Sequence, residues 1–206
     1  MVLVSDVLAK RLVWSGMFAL MTGPALWLFY LASTDQLGAD PAKEIVDDLG
    51  QWAIRFLIIT LCASTFSRRL NIRVLLQHRR MLGVFALFYA VLHLLAVSTF
   101  ILGWRVDLLT RELTDRPYIM LGMASLLLLI PLGVTSTKGW QKRMGRRWLA
   151  LHKLIYPAAL LALLHLVFLI RASVLEAVIY AFCISALLIE RLFRKRKPKK
   201  REWSKA

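Results

Sequence analysis

Apolar residues along this chain gather into runs close to the length of a bilayer crossing. Near residues 12–32, 51–66, 81–103, 117–136, 149–170 and 174–191 charges almost vanish, and about 20 such residues in a helix cover the hydrocarbon core. The pattern predicts an all-α integral membrane bundle of six helices, one domain over residues 1–206. The second and sixth runs have the shortest clean cores, because Arg55 and Glu176 fall within them. Both charges lie near an end of the expected span, from which a long side chain reaches the interface. The first run has no small-x-small cleavage pattern before Leu37 and reads as a retained helix.

Composition supports the membrane reading, since 59% hydrophobic residues and a mean hydropathy of +0.62 exclude an ordinary soluble domain. Charge adds orientation. The first eleven residues, 67–80, 138–153 and the segment from Arg191 hold 22 of the 28 Lys and Arg residues, and the opposite loops hold nine of the twelve acidic ones. The positive-inside rule then places both termini in the cytoplasm. The basic tail over 192–206, with RKRKPKKRE at 194–202, follows a membrane helix directly, so it reads as a lipid-touching topology lock rather than a nucleic-acid patch.

No internal repeat or low-complexity linker is visible. The longest outer loop, 33–50, contains LGADPAKEIVDDLG, in which Asp40 and Pro41 are set to start a short helix lying on the membrane surface. A second, 106–116, carries the amphipathic stretch LLTRELTDRP. Together they predict a small outer cap able to dock a partner. The inner loops are basic and compact, with no phosphate loop or dinucleotide fingerprint, so nicotinamide chemistry belongs to another polypeptide. Cys62 and Cys183 both fall within apolar runs and read as packing residues.

The chemistry lies in the histidines. His93, His152 and His165, three of the four, sit inside apolar helical runs. A neutral imidazole in hydrocarbon needs both nitrogens occupied, one as donor and the other as acceptor or metal ligand. The third and fifth expected helices run in the same direction. At ~1.5 Å per residue, His93 lies about 18 Å above the inner end of the third, and His165 about 24 Å above that of the fifth. Both belong to the outer half of the bilayer, where two inward histidines can clamp the axial positions of one haem iron. The competing reading for each is a buried side chain bonded to a neighbouring hydroxyl or carbonyl.

His152 lies near the inner start of the fifth helix, at the level of Arg79 and His78, about 20 Å from the outer pair. Arg79 and His93 fall about 40° apart around an ideal helix, whereas His152 and His165 fall roughly 140° apart. Pro157 between them offers a kink or change of winding that turns His165 inward. Arg79 has no lone pair for iron and suits a haem propionate, while His78 is either a substitute ligand or a solvated interface residue.

With LGADP at 37–41, RPY at 116–118, TST at 135–137 and GRRWLALHKLIY at 145–156, nearly the whole chain resembles the ferric reductase and NADPH oxidase transmembrane superfamily. That superfamily carries two histidines on each of the third and fifth helices, 13 to 14 residues apart. Arg79 stands here at the first of the four positions. Within the superfamily, the chain looks like the haem b membrane subunits of bacterial periplasmic methionine sulfoxide reductase systems. The resemblance implies an inner-membrane subunit that takes electrons from the quinone pool and passes them through haem b to a periplasmic molybdopterin enzyme repairing oxidised proteins. It implies catalysis on that partner chain, His93, His152 and His165 as candidate haem ligands, one haem or two, and FMN as a further cofactor. One alternative is a ferric or oxygen reductase component fed by a separate cytosolic flavin reductase. The other is a cofactor-free adaptor or transporter whose histidines relay protons.

Overall fold

The computed structural model describes residues 2–69, 73–169 and 174–193; the part of the expected basic tail from residue 194 onward lies outside them. Nine α-helices follow one another among the described residues: α1 (Val2–Ser33), α2 (Pro41–Arg69), α3 (Arg73–Ala96), α4 (Val106–Asp115), α5 (Pro117–Val134), α6 (Lys138–Met144), α7 (Arg146–Leu151), α8 (Ile155–Leu169) and α9 (Val174–Leu192). The chain is all-helical there. Five segments are long and apolar enough to cross a membrane: Arg11–Ser33, Pro41–Ser67, His78–Ile101, Pro117–Val134 and Arg146–Leu169. The sixth expected span forms the helix α9, whose 19 residues include Glu176, Glu190 and Arg191.

α2 is the central helix. Half of its apolar window is buried, against 11% for α1. Ile54, Phe56, Leu57, Ile58, Leu61 and Ala63 pack against Leu82, Phe85, Ala86 and Tyr89 of α3, with α5, α8 and α9 completing the core. α1 turns Phe18, Leu20, Leu26, Trp27, Phe29 and Tyr30 outward, an apolar surface suited to lipid. Small residues let α5 and α8 approach closely: Ala158 and Ala159 are fully buried, and Ser125 donates to the Ala158 carbonyl at 2.9 Å.

One expectation about α2 needs correction. The segment read as a short surface helix is the beginning of α2 itself. Asp40 caps it by accepting from Lys43 N at 3.1 Å, Pro41 leads it, and it runs unbroken for 29 residues. At 1.5 Å per residue that is roughly 43 Å, more than the ~30 Å hydrocarbon core, so its acidic first turns extend past the apolar layer. Arg55 sits at the middle of this long helix, level with the first turn of α9. It donates to Gln51 Oε1 at 2.7 Å and Tyr180 Oη at 2.8 Å and lies 3.8 Å from Glu176. The two charges that interrupt the second and sixth apolar runs meet each other.

α1 shows how this bundle handles an internal proline. Pro24 has no N–H and its ring crowds the preceding turn, and the neighbouring Ala25 N and Met21 O are bridged by one buried hydroxyl. Tyr89 Oη accepts from Ala25 N at 3.0 Å and donates to Met21 O at 2.9 Å. The phenol replaces a helical hydrogen bond and fastens α1 to α3. Tyr89→Phe leaves both backbone groups unpaired. We expect a stability loss of about 1–3 kcal/mol, seen as a lower thermal midpoint of the purified protein in detergent; an unchanged midpoint contradicts the bridging role.

Candidate functional site

Each imidazole of the outer pair is held by the same device. His93 on α3 donates Nδ1–H to the Val46 carbonyl of α2 at 2.9 Å, and His165 on α8 donates Nδ1–H to the Tyr118 carbonyl of α5 at 2.6 Å. Each acceptor lies 47 residues before its histidine. In each case a glycine follows the acceptor by one helical turn. A Cβ on Gly50 would lie 3.0 Å from His93 Nδ1, and one on Gly122 would lie 2.8 Å from His165 Nδ1. Only glycine leaves room for a ring to lie against the helix wall and reach the carbonyl one turn back. The helix pairs α2–α3 and α5–α8 thus build matching cradles, a repetition not visible in the sequence.

The two cradles face one another. The His93 and His165 ring centres are 6.4 Å apart, with planes at 75°. A carbonyl is acceptor-only, so each Nδ1 carries the proton and each Nε2 keeps its lone pair. Among the described residues no three His, Cys, Asp or Glu side chains gather around a bare metal ion. The available donor set is two imidazole nitrogens. One turn beyond His93, α3 loosens into a π turn at Val97–Ile101, a departure often found beside functional sites.

The second level forms around His152. Its Nδ1–H donates to the Trp148 carbonyl at 3.2 Å, its ring stacks on the Trp148 indole at 3.9 Å, and its buried Nε2 makes no hydrogen bond of full geometry, the Leu132 backbone being its nearest polar neighbour besides Trp148. Trp148 is itself anchored, donating Nε1–H to the Thr135 carbonyl at the end of α5 at 2.9 Å. The Arg79 charge acts on His152, so α3 and α8 run parallel with Arg79 and His93 facing His152 and His165. His78 is half-buried beside Arg79 on α3.

The change of winding expected at Pro157 occurs just before it. His152–Leu154 form a 3-10 turn, and α8 restarts at Ile155. Pro157 falls in the first turn of α8, where its missing N–H costs little. Three residues at ~120° instead of ~100° cut the angle between His152 and His165 from roughly 140° to about 80°. At Gly145, with φ 52° and ψ −119°, the chain turns between α6 and α7 in a conformation that favours glycine.

Val46, Gly50, Tyr118, Gly122 and Trp148 have no place in the histidine pattern. Their contributions are backbone carbonyls, a missing Cβ and an indole stack. The only linear signal is a glycine one turn after the acceptor. Beside the first cradle, α1 and the acidic turns of α2 enclose an outer cleft of about 420 Å³ lined by Trp27, Leu31, Asp47, Asp48 and Gln51 among others. α4 and its ion pairs Arg105–Asp107 and Arg116–Glu112 form the second expected part of the cap. Cys62 and Cys183 are free thiols packed against the core.

Residues 49–163 match the family described as the ferric reductase-like transmembrane component. The protein-methionine-sulfoxide reductase heme-binding subunit MsrQ of Xanthomonas oryzae pv. oryzae is 41% identical over 193 residues, 93% of this chain and 88% of that protein. MsrQ of Xanthomonas euvesicatoria pv. vesicatoria is likewise 41% identical over the same shares. MsrQ of Brucella ovis is 42% identical over 171 residues, 83% of this chain and 77% of the relative. No solved structure matches the chain.

The cradles predict a tautomer. In 15N spectra of histidine-labelled protein, His93 and His165 should appear as the Nδ1–H form with a strong hydrogen bond. Gly122→Ala should shift His165 and leave His93 unchanged. Equal shifts of both, or none, contradict the separate cradles.

Proposed function

Because the chain belongs to the family of ferric reductase-like transmembrane components and MsrQ haem-binding subunits, we propose that it is a haem b electron-transfer subunit of the inner membrane. In this reading, one six-span domain with both termini in the cytoplasm receives electrons from the respiratory quinone pool. It delivers them to a periplasmic molybdopterin-dependent methionine sulfoxide reductase, where the chemistry on oxidised proteins takes place.

The paired histidine cradles carry the proposal. A metal–imidazole bond of about 2 Å and roughly 1 Å from ring nitrogen to ring centre put two imidazoles sharing one metal about 6 Å apart, centre to centre. The observed 6.4 Å fits that spacing. His93 and His165 then hold the iron through Nε2, and the Val46 and Tyr118 carbonyls fix ring orientation and raise ligand basicity through Nδ1. Bound there, haem b supplies one-electron redox chemistry within the membrane. A haem held by both imidazoles would serve electron transfer rather than substrate binding. The surrounding apolar helices keep water away.

At the inner level His152 offers a buried, unpartnered Nε2, and Arg79 beside it suits a propionate. A second haem position fits this donor set with one axial imidazole, and His78 is available one residue from Arg79. FMN enters on the family resemblance alone. The acidic outer cleft and α4 face the side where the partner would dock.

The test is an optical spectrum with haem quantified per polypeptide, on wild type and on His93→Ala, His165→Ala and His152→Ala. His93→Ala and His165→Ala should each abolish most of the low-spin Soret signal, while His152→Ala should remove only a separate fraction. Full haem retention in His93→Ala overturns the ligand assignment. Reduction of the haem by reduced quinone in purified membranes supports the donor. Reduction only by a flavin reductase favours the ferric or oxygen reductase alternative.

A further inference from the structure

Three buried side-chain polar atoms lack a hydrogen-bond partner among the described residues: Thr65 Oγ1, His152 Nε2 and Arg191 Nε. They come from α2, the α7–α8 junction and α9, and contacts join them at one level. Arg191 Nη2 donates to the Leu61 carbonyl at 2.8 Å and to the Ser64 hydroxyl. Its guanidinium carbon lies 4.9 Å from the centre of the Tyr156 ring. Tyr156 follows His152 by about one turn, and the Arg79 charge acts on His152.

Thr65 shows what is missing. A helical threonine commonly donates to the carbonyl four residues back, as Thr60 does to Phe56 at 2.7 Å. For Thr65 that carbonyl belongs to Leu61, and it already accepts from Ser64 Oγ at 2.8 Å and from Arg191. Counting the helical amide as well, that carbonyl is crowded with donors, so the Thr65 hydroxyl, on a residue only 7% exposed, is left over. The partners of Arg191 are a carbonyl, a hydroxyl and an aromatic face; no carboxylate pairs with it among the described residues. A half-buried guanidinium with neutral partners only leaves its charge unmatched. Arg191 Nε and Thr65 Oγ1 each keep a proton to donate, and no carboxylate contact to the guanidinium is seen among the described residues. The missing partner is therefore an acceptor carrying negative charge.

We propose that Arg191 and Thr65, together with Arg79, bind the acidic group of a membrane-embedded ligand at the His152 level, a carboxylate or a phosphate. Two sources share this chemistry. One is the propionate of a porphyrin at His152, which rests on the function proposed above; the other is the phosphate of an anionic lipid, which does not.

Purified full-length wild type, Arg191→Gln, Arg191→Lys and Thr65→Val separate these sources. Haem affinity is titrated in neutral detergent, and thermal midpoints are measured with phosphatidylglycerol or phosphatidylcholine vesicles. The signal dependent on His93 and His165 reports which variants are folded. If a propionate is bound, Arg191→Gln and Thr65→Val weaken the His152-dependent haem fraction about tenfold or more, Arg191→Lys retains part of it, and all four proteins respond alike to lipid. If a lipid phosphate is bound, haem affinity is unchanged, and phosphatidylglycerol raises the midpoint of wild type but not of Arg191→Gln or Thr65→Val. Folded variants that match wild type in both measurements overturn the proposal. A wild type that takes up no haem removes the electron-transfer reading and leaves the lipid comparison to decide the anion site.

Discussion

An imidazole in hydrocarbon must have both of its nitrogens satisfied, and the rest of this structure is arranged around that requirement. Water is absent and a lone polar group is costly there. For His93 and His165 a backbone carbonyl meets half of the demand. The same bond decides which nitrogen keeps the proton, and so leaves the other nitrogen as a ligand. A helix carbonyl already accepts from the amide four residues on, but its second lone pair can take a ring N–H only if the ring comes very close. Gly50 and Gly122 supply that closeness. The chemistry of the site is thus set by an absent methyl group on each of two neighbouring helices.

The same principle explains the polar groups away from the histidines. Tyr89 fills the gap opened beside Pro24, and Arg55 finds Gln51, Tyr180 and Glu176. Each is a polar group in an apolar layer matched by a partner from another helix, so each also fixes the register of a helix pair. α1 is held to α3 by a phenol, α2 to α9 by a guanidinium, and α5 to α8 by the Ser125 hydroxyl. Interhelical hydrogen bonds are individually modest in membranes; their value here is in setting which residues face each other.

The helical class and the pairing of His93 with His165 were legible in the sequence because both follow from periodicity and depth. The start of α2 was misread because Glu44, Asp47 and Asp48 make its first turns look like a loop, although helix capping by Asp40 and Pro41 continues straight into the apolar run. The partner of Arg55 was not legible, because nothing in the sequence pairs it with Glu176 and Tyr180 more than 120 residues away. The winding change between His152 and His165 was anticipated but placed at Pro157; the 3-10 turn before it lets the proline sit where no amide is needed. The cradles were hidden because a carbonyl leaves no mark on residue identity. Val46 and Tyr118 share no side-chain chemistry, and nothing in either residue type signals its role.

The two levels differ in what they can hold. The outer one offers two imidazoles with equivalent supports and no nearby cation among its contacts, a set fitted to the two faces of one metal. The inner one pairs a single imidazole with Arg79 where the opposite helix would need a lone pair, and Arg191 adds a second cation with an unmatched donor. A guanidinium cannot be a ligand to iron, so α3 and α8 cannot repeat the outer arrangement at the inner level with these residues. What they and α9 provide instead is positive charge and hydrogen-bond donors around one nitrogen. Matched helices thus present unlike donor sets: two carbonyl-held imidazoles at the level of His93 and His165, and a single imidazole with Arg79 acting on it at the level of His152.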